Sequence, residues 1–545
     1  MKPIILIVPF LVLSLPASGQ HDMHNMGDAH PSATLEQGLG NLHHPVSTKN
    51  AQAQRFFDQG LTLLYAFNHG EAIKSFTQAA DLDPGMAMAY WGVALALGPN
   101  INLDVDPDRE KAAYNAVQQA RNAAANGPEN ERAYIAALAR RYSVTDHADL
   151  HQLAVDYSKA MGELSERYPD DPDAAVLYAE SMMDLRPWAL WSADGKPAEG
   201  TEKIVAVLES VLKRNPDHVG ANHYYIHTME ASPHPERALM SARRLESLVP
   251  AAGHLVHMPA HIYMRTGNFE GAVESNARAA EVDRRFIKTH GDGGVYPLMY
   301  YNHNISFLSA AESMAGNYAG AIKSAIQLEA NLAPVAKEMA MVEPFMATSA
   351  LVFVRFRKWD EILKSEESHY GSASNALWHF ARGMALAAKG NPAEANKELA
   401  TIRAATGSVP ADALIGLNST QKVLSVAAEV LEARVARATG NSSNEIAALR
   451  RAVAAEDTLR YDEPADWFYP VRESLGGALL MAGENSAAEG IFREDLERNP
   501  GNGRSLFGLA EALRRQRKTV AAEMVTVEFE RAWKFADTKL GIEDL

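Results

Sequence analysis

From residue 47 to the end of the chain, apolar residues recur at i, i+3, i+4 and i+7, with alanine filling many of the remaining inward positions. That is the period of a helix with one buried face. Val, Ile and Thr form no run that alternates with polar residues, so the pattern offers nothing to a half-buried strand. Gly-Asn, Asn-Pro and Asp-Pro pairs punctuate the pattern and predict helices of about a dozen residues joined by short turns. The fold class this predicts is all-α.

The apolar pattern also repeats at a longer interval. Phe56, Gly60, Leu63, Ala72, Phe76, Ala79 and Pro84 fall at positions 4, 8, 11, 20, 24, 27 and 32 of a 34-residue unit. Further copies carry Tyr263, Gly267, Ala272 and Ala279; then Gly316 and Ala321; then Gly383, Gly390 and Ala395; then Gly476, Gly483, Ala488, Phe492 and Pro500. The small residues let paired helices approach, the large ones fill the gap between them, and the proline ends the second helix. This spacing resembles the tetratricopeptide repeat. The resemblance implies a right-handed α-solenoid of helical hairpins over residues 47–545, with irregular insertions near 99–170, 187–200 and 333–370. It also implies a concave groove lined by the first helix of each unit, suited to a peptide or a small molecule.

Composition narrows the setting. Of 545 residues, 47% are hydrophobic and 22% charged, as in an ordinary globular protein, and the length exceeds what one core organises. A formal net charge of −16, with no basic stripe, argues against a nucleic-acid partner. Residues 1–19 join Lys2, an apolar run over 4–15 and the small residues Ala17, Ser18 and Gly19, the pattern of a cleaved signal peptide. A periplasmic or secreted protein that spans no membrane after cleavage is expected. Residues 20–46 are polar and rich in His and Met without helical period, and read as a flexible tail. There is no cysteine, which excludes disulfides, thiol nucleophiles and thiolate metal sites.

The candidate chemistry lies in histidine. Nine of the 19 histidines fall between His218 and His303. His223 and His227 form one HxxxH pair, and His257 and His261 another; residues four apart share a helix face. Both pairs occupy positions 5 and 9 of their units, 34 residues apart, while other units carry Phe57 and Leu61, or Phe380 and Met384, there. The resemblance places those positions on the groove, so four imidazoles are expected to converge from neighbouring helices. His254 and His303, at position 2 of their units, extend the set to six. Pro259, inside the second pair, must either begin a helix or kink one.

Convergent neutral imidazoles are transition-metal ligands. Copper is the expected ion, because the tail adds Met23 and Met26 to His21, His24 and His30; zinc and iron are the alternatives. Glu230 is the nearest carboxylate. Tyr224, Tyr225 and Tyr301 are expected to border a substrate pocket. No HExxH, GxSxG or phosphate loop occurs, and no catalytic residue is assigned. Three functions fit these residues: copper-dependent oxidation of a small organic substrate; storage, delivery or detoxification of copper; and a metal-free scaffold that docks a peptide.

Overall fold

A computed structural model describes residues 33–545 apart from Asp146 and Phe468. The expected signal peptide, and the tail residues with the mixed His/Met composition, lie outside the described residues. Almost every regular element is a helix; the described strands are one antiparallel pair, Leu414–Ile415 with Asn418–Ser419.

Local sequence explains the first hairpin. Asn50 starts the helix Ala51–Tyr65 by accepting hydrogen bonds from the amides of Gln52 and Ala53, and Asn68 caps His69–Leu82 through the amide of Glu71. The spacing of small and large residues then sets the packing. A β-carbon on Gly60 would stand 2.7 Å from the Phe76 ring, and one on Gly92, in the helix Ala87–Leu97, 2.4 Å from it. Phe76 therefore fills a slot between two helices that only glycine leaves open. The same slot recurs far along the chain. β-Carbons on Gly476 and Gly508 would meet Phe492 at 2.4 and 2.2 Å, with the same 16-residue spacing on either side of the ring. The tetratricopeptide-type hairpin is thus present in the three-dimensional packing as well as in the sequence.

The chain divides into two compact units. One takes the chain up to Leu190, with Glu199–Tyr224 and Gly291–Tyr296; the other takes Trp191–Ala198, Tyr225–His290 and Pro297–Leu545. In the first, the expected irregular stretch 99–170 holds the helices Pro107–Ala123, Glu129–Leu138 and Leu150–Arg167. Residues 33–49 run extended over this unit and are pinned there. Gln59 Nε2 donates to the Thr34 carbonyl (2.9 Å), Gln54 Nε2 to the His44 carbonyl (2.9 Å), and Thr48 Oγ1 to Asp83 (2.6 Å). Asp173, buried in the first turn of the helix Pro172–Met183, gathers Tyr65 Oη (2.6 Å), His44 Nδ1 (2.8 Å) and His218 Nε2 (3.2 Å).

In the second unit, 333–370 is broken into the short turns and helices Glu343–Ala347, Thr348–Arg355 and Trp359–Lys364. Long helices follow around a continuous apolar core that includes Phe380, Leu431, Leu475 and Phe492. The segment Trp191–Ala198 is held by the Trp191 indole, which donates to the Thr228 carbonyl (2.7 Å). Among the described residues, no helix is long and apolar enough to cross a membrane.

Candidate metal centre

Five of the six singled-out histidines, His227, His254, His257, His261 and His303, belong to the second unit, and its helices bring them together. His227 closes the helix Val219–Met229. His254 and His257 fill the five-residue helix Gly253–His257, His261 lies in Pro259–Thr266, and His303 begins Asn302–Met314. Pro259 occupies the first turn of its helix, yet Met258 before it keeps helical dihedrals (φ −50°, ψ −35°). The chain therefore stays helical through the proline, and only the hydrogen-bond ladder is interrupted. His257 and His261 remain on one face a turn apart, their rings edge-on (78°) with centroids 4.7 Å apart.

Two close approaches position these helices. A β-carbon on Gly253 would lie 1.9 Å from Asp283 Oδ1, so only glycine admits this helix start against the helix Phe269–His290. The other oxygen of Asp283 accepts from Asn304 Nδ2 (2.6 Å), beside His303. One buried carboxylate thereby sets two histidine-bearing helices at a fixed distance. The Phe307 ring, one turn after His303, floors the cluster at 4.9–5.7 Å from the rings of His261, His257 and His303.

The ring nitrogens are sorted by their partners. Asn276 gives its amide hydrogen to the Ala272 carbonyl (2.8 Å), which turns Oδ1 toward His257 Nδ1 (2.6 Å). An amide oxygen only accepts, so His257 carries its proton on Nδ1 and presents a bare Nε2. Glu230 Oε1 is in hydrogen-bond contact with His227 Nδ1 (2.8 Å), and its Oε2 lies 2.5 Å from His261 Nδ1 as an ion-pair contact. On the far side, His257 Nε2 faces His261 Nε2 at 2.8 Å and His303 Nε2 at 3.1 Å. The bare Nε2 of His257 is thus placed to accept a proton carried by His261 Nε2 or to share a metal ion with its neighbours.

The electrostatics fit both states. Burial, and then the charges of His261 and His303, hold His257 well below the ordinary histidine value, and burial takes His303 down to about 3. Burial likewise lowers His227. Burial also disfavours the charged form of His261, but the Glu230 carboxylate outweighs it and leaves that ring raised. Glu230 in turn is pushed up by burial and pulled down further by His261 and His227, to about 2. His227, His257 and His303 are therefore held neutral, while His261 is paired with the buried Glu230 carboxylate. A tetrahedral ion with bonds of about 2.0–2.1 Å separates its nitrogens by roughly 3.3 Å. His257 Nε2 needs to part from His261 Nε2 and His303 Nε2, at 2.8 and 3.1 Å, by only a few tenths of an ångström.

The remaining singled-out residues have these partners. His223 belongs to the first unit, one turn before His227 on the same helix; its Nδ1 meets the Tyr65 carbonyl (2.7 Å), and Phe67 stands edge-on to its ring at 4.6 Å. Tyr224 packs on Tyr65 and Phe67 in that unit, and Tyr225 is buried in the other. Tyr301 joins an apolar cluster with Ile305 and Leu328 and accepts from Gln327. Tyr300 stands edge-on to His254 at 4.8 Å. Sequence reading missed Asn276 and Phe307. Asn276 could have been noticed as an amide on the helix face that otherwise carries Ala272, Ala279 and Ala280.

No known protein family matches the chain by sequence, and no curated relative does. Among solved structures it is similar to the Cut9–Hcn1 hetero-tetramer of APC/C (12% identity, 90% of this chain and 78% of that one, TM-score 0.30). It is also similar to human IFIT1, solved as a dimer with m7Gppp-AAAA (13%, 90% and 92%, TM-score 0.31), and to yeast Tom70 (13%, 88% and 97%, TM-score 0.30). Its own paired helices and the glycine–phenylalanine slots between them make the chain an all-α protein of repeated helical hairpins.

Proposed function

We propose that this helical-repeat scaffold holds a transition-metal ion at His257, His261 and His303, with Glu230 and Asn276 orienting the rings behind it. The reading is carried by one observation: the Nε2 atoms of His261 and His303 both face His257 Nε2, at 2.8 and 3.1 Å, while Asn276 leaves that nitrogen without a proton. Glu230 and Asn276 are the kind of outer partners that metal-bound imidazoles use. Copper is our choice of ion, on imidazole donors without thiolate and on the His/Met composition of residues 20–30. The function is metal handling, that is storage or delivery, by an exported protein whose repeats dock a peptide or protein partner.

A second reading, copper-dependent oxidation of a small organic substrate, is favoured by the ligand count. Three rings leave a fourth position to water or substrate, as catalytic sites do and closed structural sites do not. Elemental analysis of protein purified from its native compartment tests the metal. Wild type should carry copper, and His261→Ala should lose it. A wild-type protein that carries no metal and takes none up would leave the metal-free scaffold. Azide separates the two metal readings, since it perturbs the spectrum of a copper ion only where a position is open.

A further inference from the structure

The three-ring site does not use His227 or His254, although both are buried beside it. Their relative exposures are 6% and 2%, so neither is a surface histidine that strayed inward. The two rings lie nearly parallel (23°) with centroids 6.1 Å apart, and they offer nitrogens within 4.8 Å of one another. The His254 ring is also 5.9 Å from that of His257, and the His227 ring 5.8 Å from that of His261.

Glu230 links the two groups. Its oxygens are divided, Oε1 to His227 and Oε2 to His261, so one carboxylate touches a ring in each group. On His227 that leaves Nε2 as the donor atom.

From this arrangement we propose that the centre holds two metal ions, the second between His227 and His254, with Glu230 as the shared outer partner of both. The inference rests on the metal-binding reading above. Two imidazoles do not complete a coordination sphere, so the second ion takes its remaining ligands from water or hydroxide. The ligand class that fits between the ions is a small oxygen donor, of the kind two-metal centres bridge.

The test uses the mature full-length chain, stripped with a chelator and titrated with copper(II) alone. Bound copper is counted by elemental analysis after gel filtration. Wild type should bind two ions per chain. The variants His227→Gln and His254→Gln, which keep a polar side chain of similar size, should bind one, with unchanged helical circular dichroism. His257→Gln should lose the first ion. Paramagnetic resonance gives a second readout: paired copper(II) ions couple through a bridge, so the spin count of wild type should fall below its copper count. In His227→Gln the two counts should agree. One ion in wild type and one in both His227→Gln and His254→Gln would overturn the second position and leave the first standing. No ion in wild type would overturn both.

Discussion

His44 Nδ1 lies 2.8 Å from Asp173 Oδ2, a contact between residues 129 positions apart that pins the extended segment before the first helix to the start of the helix Pro172–Met183. Burial opposes the charge on each partner. On Asp173 it is outweighed by His218 and His44, which leave the carboxyl far below its usual range; on His44 it is outweighed by Asp173, which leaves the imidazole raised.

The pH dependence of the first unit follows from those two directions. A carboxyl lowered by folding stabilises above its unfolded value, about 3.9, and that contribution is lost as pH falls. A histidine raised by folding stabilises fully below its unfolded value, about 6.5, and that contribution fades as pH rises through the folded value. Stability should therefore peak between about pH 4 and 6.5. His44→Ala should remove the alkaline decline and cost about 1–3 kcal/mol at pH 6, since it takes one of two imidazoles from a buried carboxylate that His218 and Tyr65 still hold. Urea unfolding at several pH values, followed by hydrogen exchange in residues 33–49, measures both.

Phe76 and Phe492 make the repeat packing testable in each unit separately. Gly92→Ala and Gly508→Ala each drive a methyl group into a ring at 2.4 and 2.2 Å and should destabilise by about 1–3 kcal/mol. Phe76→Ala should cost more, about 3–5 kcal/mol, because nothing refills the slot. Thermal denaturation of the three variants decides this, and equal melting temperatures would contradict the packing.

Asn276 and Glu230 touch the proposed metal only through imidazoles. Asn276→Leu frees His257 to flip its proton to Nε2, and Glu230→Gln replaces a carboxylate by an amide that holds the proton less firmly. Each should weaken copper binding by about 10–100-fold with little change in helix content. A competition titration against a chromophoric chelator reads the change directly. Affinities equal to wild type would mean that the outer partners serve the fold alone.

Export is tested at the N-terminus. The mature protein should begin near Gln20, and sequencing the protein recovered from a periplasmic or culture fraction shows it. Recovery with Met1 intact would remove the export reading.

The helical repeats were legible because period 3.6 and a 34-residue spacing both survive in the sequence; Gly60, Phe76 and Gly92 occupy the slots that spacing implies. The histidine cluster was legible in part for the same reason, since His257 and His261 share a face by arithmetic. What the spacing could not supply was the distant partner. Asn276 acts on His257 through 19 residues and a different helix, and Asp283 sets Gly253 against Asn304 through side-chain geometry that leaves no periodic trace. Pro259 was ambiguous in the sequence because its ring forbids one hydrogen bond without dictating the backbone angles. Met258 keeps helical angles, so the two histidines stay on one face.

That proline has a mechanical consequence. Its nitrogen has no hydrogen to give the Leu255 carbonyl, so the ladder is cut between His257 and His261, each on a short helix of five or eight residues. An ion bonded to both rings would act as a splint across the cut. Its escape then requires the backbone there to flex, so the residence time of the ion is governed by the stiffness of that joint as much as by the strength of its bonds to nitrogen.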